Sequence, residues 1–475
     1  MSLWGGRFNS SPSESMRALS RSVHFDWRLA PYEIEVNLVH LANLQDQGLI
    51  SKEDSSLLKK ALVELASEIG SGKFIYSDSD EDVHSAIERG LIEKCGEKGG
   101  AIRAGRSRND LVITDFKLYL VDHLLEIAAQ VSILVKSFNK QASNNLEVIA
   151  PGFTHTQHAQ PITFGQELSK HSHALLRDVD RIFDWIERNN YSPFGAGALA
   201  GSSIQPNPQS TASKLGFSGV MENSIDAVSD RDFAAEALFI MAMIGVHLSR
   251  IGEEFVLWSS TEFDWVEIDD AYATGSSIMP QKKNADVAEL ARGKSGRFIG
   301  NLTALMVVLK GMPFAYNRDL QEDKEPIFDS VDQLLILLPA ISGMVESARF
   351  KSDNIEKTAS SGFSLATEIA DFLAKKQVPF ATAHEVAGSC VKFCEKNGIE
   401  LSQMSDQQLI AIHPKLTKDV KNYLNVNGAV ASRSSSMGTA KNSVSAAISS
   451  LNKETSKVDE RISNLRKQFS GMITP

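Results

Sequence analysis

Four short segments of the 475-residue chain carry polar residues whose types and spacing suit chemistry on a small anionic molecule. Each lies at a break marked by glycine, proline or serine, and each has more charged or amide side chains than a turn requires. Cationic and amide groups can bind a carboxylate, whereas serine and histidine can exchange protons. The segments are GRSRND at 105–110, PGFTHTQHAQP at 151–161, TGSSIMPQKKN at 274–284 and AYNRDLQEDKE at 315–325.

The segment at 274–284 favours neither a helix nor a strand, and we predict that it is a mobile catalytic lid. A glycine and two serines allow the loop to open and close, and a proline stiffens its middle. Lys282 and Asn284 supply charge and hydrogen-bond donors where a predicted helix begins at Ala285. A linker would need only the small residues, and the Ser-x-x-Lys arrangement of penicillin-binding proteins is absent from this segment.

The segment at 105–110 immediately precedes the longest predicted helix. Unpaired backbone N–H groups and the positive end of the helix dipole favour an anion at such a position. Arg106, Arg108 and Asn109 would complete a carboxylate site there. The alternative is a helix cap formed by Ser107 or Asn109 beside solvated arginines, and the segment taken alone fits this alternative as well.

The other two segments also have both a functional and a structural interpretation. Thr154 and His155 lie between a turn and the next predicted helix. A lone histidine is usually structural, and no H-E-x-x-H spacing accompanies it, so we predict no metal site. Tyr316, Gln321 and Lys324 suit substrate contacts, but the same segment also suits a solvated helix start with local ion pairs.

The elements that position these segments are predicted to be long helices. Residues 106–150 contain neither glycine nor proline, and apolar residues recur there at intervals of three and four on more than one face. Similar patterns occupy 168–186, 233–261, 285–309 and 327–338. Since period-two alternation is nearly absent, we predict a mainly α fold with a long central five-helix bundle and little sheet.

The pattern of helices changes near residues 107 and 360, which predicts three domains. A helical N-terminal domain over 1–107 and a helical C-terminal domain over 361–475 flank the long-helix bundle domain over 108–360. Helices that are apolar on several faces need partners beyond one chain, so we predict a homo-oligomer. A monomer whose terminal domains cover the excess apolar surface is the alternative.

Composition argues against several other classes of protein. A net charge of -10 with interspersed acidic and basic residues argues against nucleic acid as the main partner. Three cysteines, an odd number without metal-site spacing, suit a reducing compartment better than a disulfide framework. The longest apolar stretch, at 237–248, is too short to cross a bilayer, and the N-terminus lacks a secretory pattern. We therefore predict a cytoplasmic protein without a membrane segment.

Together these segments resemble those of a known family. GSSIMPQKKN resembles the signature loop of the fumarase/aspartase superfamily. LWGGRF, GRSRND, SPFGAGALAG, ENSIDAVSDRDF and AYNRDLQEDKE narrow the resemblance to argininosuccinate lyases, over residues 3–439. It implies a mainly α-helical homotetramer with a twenty-helix core and four active sites, each assembled from three subunits. It also implies reversible elimination of arginine from argininosuccinate to give fumarate, with no cofactor.

The resemblance further implies roles for individual residues. Ser276 is expected to be the general base, and His155, oriented and charged by Glu289, is expected to protonate the leaving nitrogen or relay its proton. Lys282 and Asn284 are expected to stabilise the negative charge that develops on the substrate carboxylate. The other positions expected to bind the substrate are Ser107, Arg108, Asn109, His84, Thr154, Tyr316, Gln321 and Lys324.

The chain departs from the family pattern at several positions. Before GRSRND the family usually has His-Thr, and after FDWRL it has a serine, an aspartate and Gly-Ser. The residues of this chain at those positions are Arg103, Ala104, Ala30, Glu33, Val36 and Asn37. A Pro-Ile-Asp-Arg run is replaced by SSIQPNPQS, and the proline after the loop by Ala285.

Because several departures lie where the amino-acid part of the substrate is held, two alternatives stay open. One is a sister lyase that acts on another N-substituted aspartate or on an aminopolycarboxylate. The other is an inactive structural tetramer, as in eye-lens crystallins of this family. Adenylosuccinate lyase is less similar, since its loop usually carries histidine where Gln281 stands.

Overall fold

The computed structural model describes residues 12–204 and 207–469, so the LWGGRF motif at 3–8 lies outside the described residues. Within these ranges the chain forms eighteen α-helices and eight short strands, which confirms the prediction of a mainly α fold. The helices are α1 Glu14–Ser20, α2 Val23–Asp26, α3 Ala30–Asp46, α4 Lys52–Gly70, α5 Val83–Cys95, α6 Arg108–Asn144, α7 Phe164–Asn189, α8 Pro208–Lys214, α9 Ser224–Ser229, α10 Asp232–Trp258, α11 Asp286–Leu309, α12 Lys324–Ser347, α13 Ser352–Lys357, α14 Ala366–Lys375, α15 Phe380–Asn397, α16 Asp406–Ile412, α17 Val426–Ser432 and α18 Lys441–Phe469. The strands are β1 Ile149–Thr154, β2 Gln157–Thr163, β3 Tyr191–Ser192, β4 Gly219–Val220, β5 Val266–Glu267, β6 Thr274–Gly275, β7 Lys283–Asn284 and β8 Arg349–Phe350.

The longest helix, α6, has 37 residues and is therefore about 55 Å long at 1.5 Å per residue. Its first turn is capped reciprocally. The Ser107 hydroxyl accepts a hydrogen bond from the Asn109 N–H, and the Asp110 carboxylate accepts one from the Ser107 N–H. Residues that point in different directions, such as Phe116 and Leu118, are both buried. The predicted long helix with several buried faces is confirmed.

Helices α7, α10, α11 and α12 complete the predicted bundle, and α12 is longer than predicted. The apolar pattern in the sequence predicts a helix that ends at residue 338, whereas α12 continues through Pro339 to Ser347. Proline lacks the N–H for one helical hydrogen bond. Beyond it Ile341 and Met344 are completely buried, so apolar packing outweighs the lost bond.

One end of the bundle, called the cavity end below, holds the starts of α6, α10 and α12. Phe116 in α6 packs against Phe233 in the first turn of α10, with ring centroids 5.5 Å apart. The amine of Lys324, the first residue of α12, lies 5.8 Å from the Phe116 ring. The indole N–H of Trp185, near the end of α7, donates to the Phe233 carbonyl. Thus α7 runs antiparallel to α6.

The opposite end, called the hairpin end below, holds the starts of α7 and α11. Phe164, the first residue of α7, packs against Trp258, the last residue of α10, with ring centroids 5.5 Å apart. Gly252 in α10 lies against the first turn of α11, where a Cβ at 252 would sit 2.3 Å from the Ala288 carbonyl oxygen. The β1–β2 hairpin follows the end of α6 and also belongs to this end.

Strand content is minor, as predicted, with four two-stranded sheets in the described part of the chain. One of them corrects the prediction that the segment at 274–284 forms no strand. Thr274 pairs with Asn284 and Gly275 pairs with Lys283, so 276–282 is the loop of a small antiparallel hairpin. Two-residue strands carry no alternating pattern, which is why the sequence does not reveal them.

The C-terminal part of the chain contributes to three hydrophobic cores, the smallest of which joins Val430 to Ile149 and Ala359. Buried residues between Leu365 and Ala429 form a separate core within α14–α17. The last helix, α18, packs instead into the main core, and its Asp459 accepts a hydrogen bond of 2.6 Å from Ser132 in α6. The described residues from 361 to 469 are therefore divided among separate cores, and the domain boundaries at 107 and 360 stay predictions.

Three helical segments, α6, α10 and residues 318–347, are long and apolar enough to cross a membrane by length and composition. The unbroken apolar stretch at 237–248, too short by itself to cross a bilayer, lies within the longer helix α10. In the folded chain 67%, 61% and 56% of their most apolar windows are buried. Most of this apolar surface therefore belongs to the protein core.

Candidate active site

The predicted site residues form two groups at opposite ends of the bundle. The group at the cavity end consists of His84, Ser107, Arg108, Asn109, Tyr316, Gln321 and Lys324. The group at the hairpin end consists of Thr154, His155, Ser276, Lys282, Asn284 and Glu289. Because α6 separates the two ends by about 55 Å, one folded chain does not bring the two groups together.

A cavity of about 670 Å³ opens at the cavity end. The amide of Asn109 donates to the Ala198 carbonyl across it at 3.1 Å. The backbone of the SPFGAGALAG segment forms the facing wall. The polar side chains that line the cavity include His84, Glu88, Arg103, Ser107, Arg108 and Asn109. The structure therefore unites four of the predicted substrate-binding residues and adds Arg103, one of the departures from the family pattern.

The arginines of the GRSRND segment are held by the protein. Nη1 of Arg108 lies 2.5 Å from the Asp82 carboxylate, and Arg106 donates to the amide oxygen of Asn37. Burial of the Arg106 guanidinium lowers its pKa, although neighbouring carboxylates act in the opposite direction. The alternative interpretation of this segment is therefore confirmed for the helix cap by Ser107. It is wrong for the arginines, which are paired within the protein and not solvated.

Asp110 fixes the glycine-rich wall of the cavity to the start of α6. Its Oδ2 accepts hydrogen bonds from the N–H groups of Gly195 and Gly197, at 3.0 and 2.9 Å. Both glycines have positive φ angles, 109° and 61°, which side chains with a Cβ rarely adopt. The cavity wall is therefore held by a buried carboxylate and by two residues that must be glycine.

The segment at 315–325 reaches the cavity end through buried ion pairs. The Lys324 amine lies 2.7 Å from the Asp323 carboxylate, which also binds the buried Arg231. Burial alone would raise the pKa of Asp323, but the two cations hold it below its ordinary value. Gln321 donates to a backbone carbonyl of α1, and burial raises the pKa of Tyr316. The alternative of a solvated helix start with local ion pairs is wrong for Asp323 and Lys324, which are buried, whereas Asp319, Glu322 and Glu325 are exposed.

Thr154 and His155 lie exposed at the tip of the β1–β2 hairpin. The sequence predicts that these two residues lie between a turn and the next helix. Instead Thr154 pairs with Gln157, and His155 and Thr156 are the two central turn residues. Their φ angles are 54° and 58°, a region that costs a residue with a Cβ about 1–2 kcal/mol. Backbone strain of this kind is concentrated at functional sites.

Ser276 begins the loop between β6 and β7. Its Oγ accepts hydrogen bonds from the N–H groups of Ile278 and Met279, at 3.3 and 3.0 Å. Donors directed at a serine oxygen stabilise negative charge on it and so favour loss of its proton. Lys282 is exposed on the same loop, and Glu289 is exposed in the first turn of α11.

The residues predicted to catalyse do not contact one another in one chain. Ser276 and Lys282 share a loop, whereas His155 stands on a separate hairpin, and no hydrogen bond or ion pair joins any two of the three within the described ranges. The substrate-binding group lies at the other end of the bundle. A site that contains all of these residues therefore requires more than one copy of the chain.

Three buried side chains at and behind the cavity have the types and spacing of a possible metal site. Glu33, His84 and Asp115 each place one ligand atom within 4.8 Å of the others, a donor set that can hold a divalent cation. However, Nδ1 of His84 already lies 2.5 Å from Glu33, and the charge of Arg106 acts on both carboxyl groups. His84 and Arg106 thus supply positive charge within the cluster, which we interpret as an ion-pair network.

Comparison with known proteins identifies the class of this fold. Residues 6–300 match the family model described as "Lyase". An EDDS lyase variant with bound fumarate is 27% identical, with a TM-score of 0.83 over 94% of this chain and 90% of that one. Class II fumarase from Schistosoma mansoni, 15% identical, shares the fold with a TM-score of 0.71 over 87% of this chain and 92% of its own. The chain is therefore a lyase with the fumarase/aspartase fold.

Closer relatives define the family within that class. Residues 363–431 match the model described as "Argininosuccinate lyase C-terminal". Argininosuccinate lyase from Frankia casuarinae is 52% identical over 95% of this chain and 97% of the relative. The enzyme of the same name from Rhodococcus jostii is 52% identical over 92% of this chain and 93% of its own. The chain belongs to the argininosuccinate lyase family.

Sequence reasoning named Glu33 and Asn37 only as departures from the family pattern, and it missed the buried residues His40 and Asp115. Glu33, Asn37 and His40 follow one face of α3 at positions i, i+4 and i+7, and all three are completely buried. That spacing is visible in the sequence as a polar stripe within an apolar helix. Asp115 lies on α6 among apolar residues and gives no such signal, because its neighbour Glu33 is distant in the chain.

Proposed function

We propose that this chain catalyses the reversible elimination of argininosuccinate to arginine and fumarate, as a cytoplasmic homotetramer in arginine biosynthesis. The observation that carries the proposal is 52% identity with an argininosuccinate lyase over 95% of the chain. The presence of Ser276, His155, Lys282 and Glu289 together favours a catalyst over a crystallin-like structural tetramer, because packing alone does not require that set.

In the proposed mechanism Ser276 removes a proton from the carbon next to a substrate carboxylate. Serine is a weak base in water, so its deprotonated oxygen must be stabilised. The N–H groups of Ile278 and Met279 and the charge of Lys282 supply this stabilisation, and closure of the loop excludes water. The electron pair left on carbon then forms the double bond of fumarate as the carbon–nitrogen bond breaks.

The leaving nitrogen belongs to the guanidinium group of arginine and needs a proton as it departs. His155 donates or relays that proton, and Glu289 orients and charges it. Asn284 and the group at 107–109 bind the carboxylate on which negative charge develops. His84, Thr154, Tyr316, Gln321 and Lys324 hold the remainder of the substrate.

Helix α11 supports the proposed tetramer, because one chain leaves much of it uncovered. Only Ala288, Ala291, Phe298 and Leu305 are buried among its 24 residues. Leu290 and Ile299 are 55% and 46% exposed. The exposed glycines of this helix have open space around the position of a Cβ, and each costs about 1 kcal/mol in a helix interior. These glycines are Gly293, Gly296 and Gly300.

Close approach by a helix of another copy would explain both features of α11, the exposed apolar residues and the glycines. If copies pack with their bundles antiparallel, the cavity end of one subunit meets the hairpin end of another. Each active site would then combine substrate-binding residues from one chain with catalytic residues from others.

The activity is tested by following fumarate absorbance after purified protein is mixed with argininosuccinate. Ser276→Ala is expected to lower kcat by a factor of about 10² to 10⁴, because a positioned general base is lost. Ser277→Ala, which changes the adjacent serine, should remain close to the parent, and sedimentation should show both variants as tetramers. A Ser276→Ala enzyme as fast as the parent would exclude this serine as the base.

A sister lyase acting on an aminopolycarboxylate is the second candidate. It is supported by the similarity to EDDS lyase, with a TM-score of 0.83, and by the departures at Glu33, Asn37 and Arg103. A panel of fumarate-releasing compounds that includes EDDS and argininosuccinate separates the two candidates. Turnover of EDDS without turnover of argininosuccinate would replace the first proposal by the second.

A further inference from the structure

His84 lines the cavity, but its orientation is set by a residue outside the cavity wall. Its Nδ1 lies 2.5 Å from Oε2 of Glu33, whose side chain is completely buried in α3. His84 itself is 7% exposed, and its Nε2 has no hydrogen-bond partner among residues 12–204 and 207–469. Nε2 is therefore the polar atom that His84 offers to a molecule in the cavity.

Glu33 also lies close to Arg106 and Asp115. The guanidinium of Arg106 attracts it. Oε1 of Glu33 and both carboxyl oxygens of Asp115 are buried without a hydrogen-bond partner among the described residues, and ligand atoms of the two residues lie within 4.8 Å of each other. Burial together with the charge of Glu33 raises the pKa of Asp115. Glu33 is the carboxyl group that His84 contacts through Nδ1.

We propose that Glu33 is a positioning residue that, through Nδ1 of His84, holds the imidazole as a cation whose Nε2–H donates to a substrate carboxylate in the cavity. The carboxylate's identity rests on the proposed function, whereas the state of His84 does not. Glu33 is one of the departures from the family pattern. This departure therefore contributes to binding of the substrate carboxylate, through the contact of Glu33 with His84.

The charges around His84 favour the imidazolium on balance. Burial lowers the pKa of His84, but the charge and hydrogen bond of Glu33 and the charge of Asp82 together raise it above the ordinary value. Arg108 acts in the opposite direction, although it is itself paired with Asp82 at 2.5 Å. Besides Glu33 and Asp115, the charged and titratable groups around the cluster are Asp26, Asp82, Glu88, Arg106, Arg108 and Asp110.

The test compares Glu33→Gln and Glu33→Asp with a matched control. Glu35→Gln removes another buried carboxyl two residues away on α3, which faces Asp122 and not His84. Two measurements are made on the full-length enzyme between pH 5 and pH 9. One is the titration of His84, read by mass spectrometry from hydrogen–deuterium exchange at its Cε1. The other is the pH dependence of KM and of kcat for argininosuccinate.

Glu33→Gln is expected to lower the pKa of His84 and to raise KM about tenfold or more at pH 8, where a charged hydrogen bond is lost. The increase in KM should be smaller at pH 6, and kcat should change much less than KM. Glu33→Asp should restore part of the His84 titration and of the affinity. The Glu35→Gln control should match the parent in both measurements.

Two results would overturn the proposal. One is an unchanged His84 titration in a folded Glu33→Gln enzyme. The other is a stoichiometric divalent metal in the purified parent, found by elemental analysis, since a cation would then replace the proton in this cluster. Failure of the proposed function gives a different result, because the parent would not consume argininosuccinate while the dependence of the His84 titration on Glu33 persisted.

Discussion

At the scale of single residues, the buried cluster behind the cavity contains more carboxyl groups than cations. Glu33 and Asp115 approach each other, and Arg106 and His84 are the positive groups nearest to them. Burial raises the pKa of Asp26 nearby to about 6, which again reflects the cost of a charge at this depth. A proton on Asp115 would lower the negative charge of this cluster, and the raised pKa of Asp115 favours that proton.

Asp115→Asn tests that protonation. Burial raises the pKa of Asp115 in the folded chain well above the value of about 3.9 expected when unfolded. Above about pH 4 the unfolded chain releases this proton and the folded chain keeps it, so the aspartate increasingly destabilises the fold as pH rises. The asparagine does not titrate, so it removes this dependence of stability on pH.

We expect Asp115→Asn to raise the thermal midpoint more at pH 8 than at pH 5, by the equivalent of about 1–3 kcal/mol. Calorimetric unfolding of parent and variant at the two pH values measures the difference. Equal effects at both pH values, or a loss of stability at pH 8, would show that Asp115 is ionised in the folded protein.

At the scale of elements, the sequence predicts long helices well and local turns poorly. Helix α6 is predictable because residues 106–150 lack glycine and proline and because the apolar spacing is regular. The turn at His155 and Thr156 is not predictable from the sequence, because two-residue hairpin turns usually carry Asn-Gly. Glu33 and His84 meet only after α3 and α5 pack, so their contact has no signal in local spacing.

The contact between α10 and α11 allows a test at this scale. A Cβ at Gly252 would sit 2.3 Å from the backbone oxygen of Ala288, in the turn of α11 that also carries Glu289. Gly252→Ala should destabilise the fold by about 1–3 kcal/mol, as overpacked cores do, and should reduce kcat because the first turn of α11 must move.

The control for this prediction is Gly388→Ala in α15, where a Cβ meets nothing within 4 Å. It should be neutral or stabilising by up to about 1 kcal/mol. Chemical denaturation and steady-state kinetics on the two variants give the comparison. Equal stability of the two variants would show that α10 and α11 are not packed as closely as described.

At the scale of the whole molecule, the separation of the two residue groups is the dominant feature. The helix directions place the starts of α6 and α12 at one end and the start of α11 with its loop at the other. The sequence predicts overlong helices and a homo-oligomer. It predicts shared active sites only through the family resemblance, because the ends at which segments meet depend on tertiary packing.

The exposed face of α11 provides a test of assembly. Ile299→Glu places a charge on that face, where the isoleucine is 46% exposed in one chain. We expect it to dissociate the proposed tetramer and to abolish activity together, since burying an unpaired charge in an interface is costly. Ile410→Glu in α16, where the isoleucine is 49% exposed, is the matched control and should stay tetrameric and active. Sedimentation velocity measures the oligomeric state of both variants, and fumarate release measures their activity. An Ile299→Glu monomer that is still active would contradict active sites shared between subunits.

The most direct measurement of the central claim mixes two inactive variants, Ser276→Ala and Asn109→Ala, whose changes lie at opposite ends of the bundle. The two are dissociated, combined in equal amounts and reassembled. If each site draws these residues from different chains, random mixing restores both at about one quarter of the sites, with a corresponding share of parental activity. Mixed tetramers verified by mass spectrometry that remain inactive would contradict an active site built from several copies of this chain.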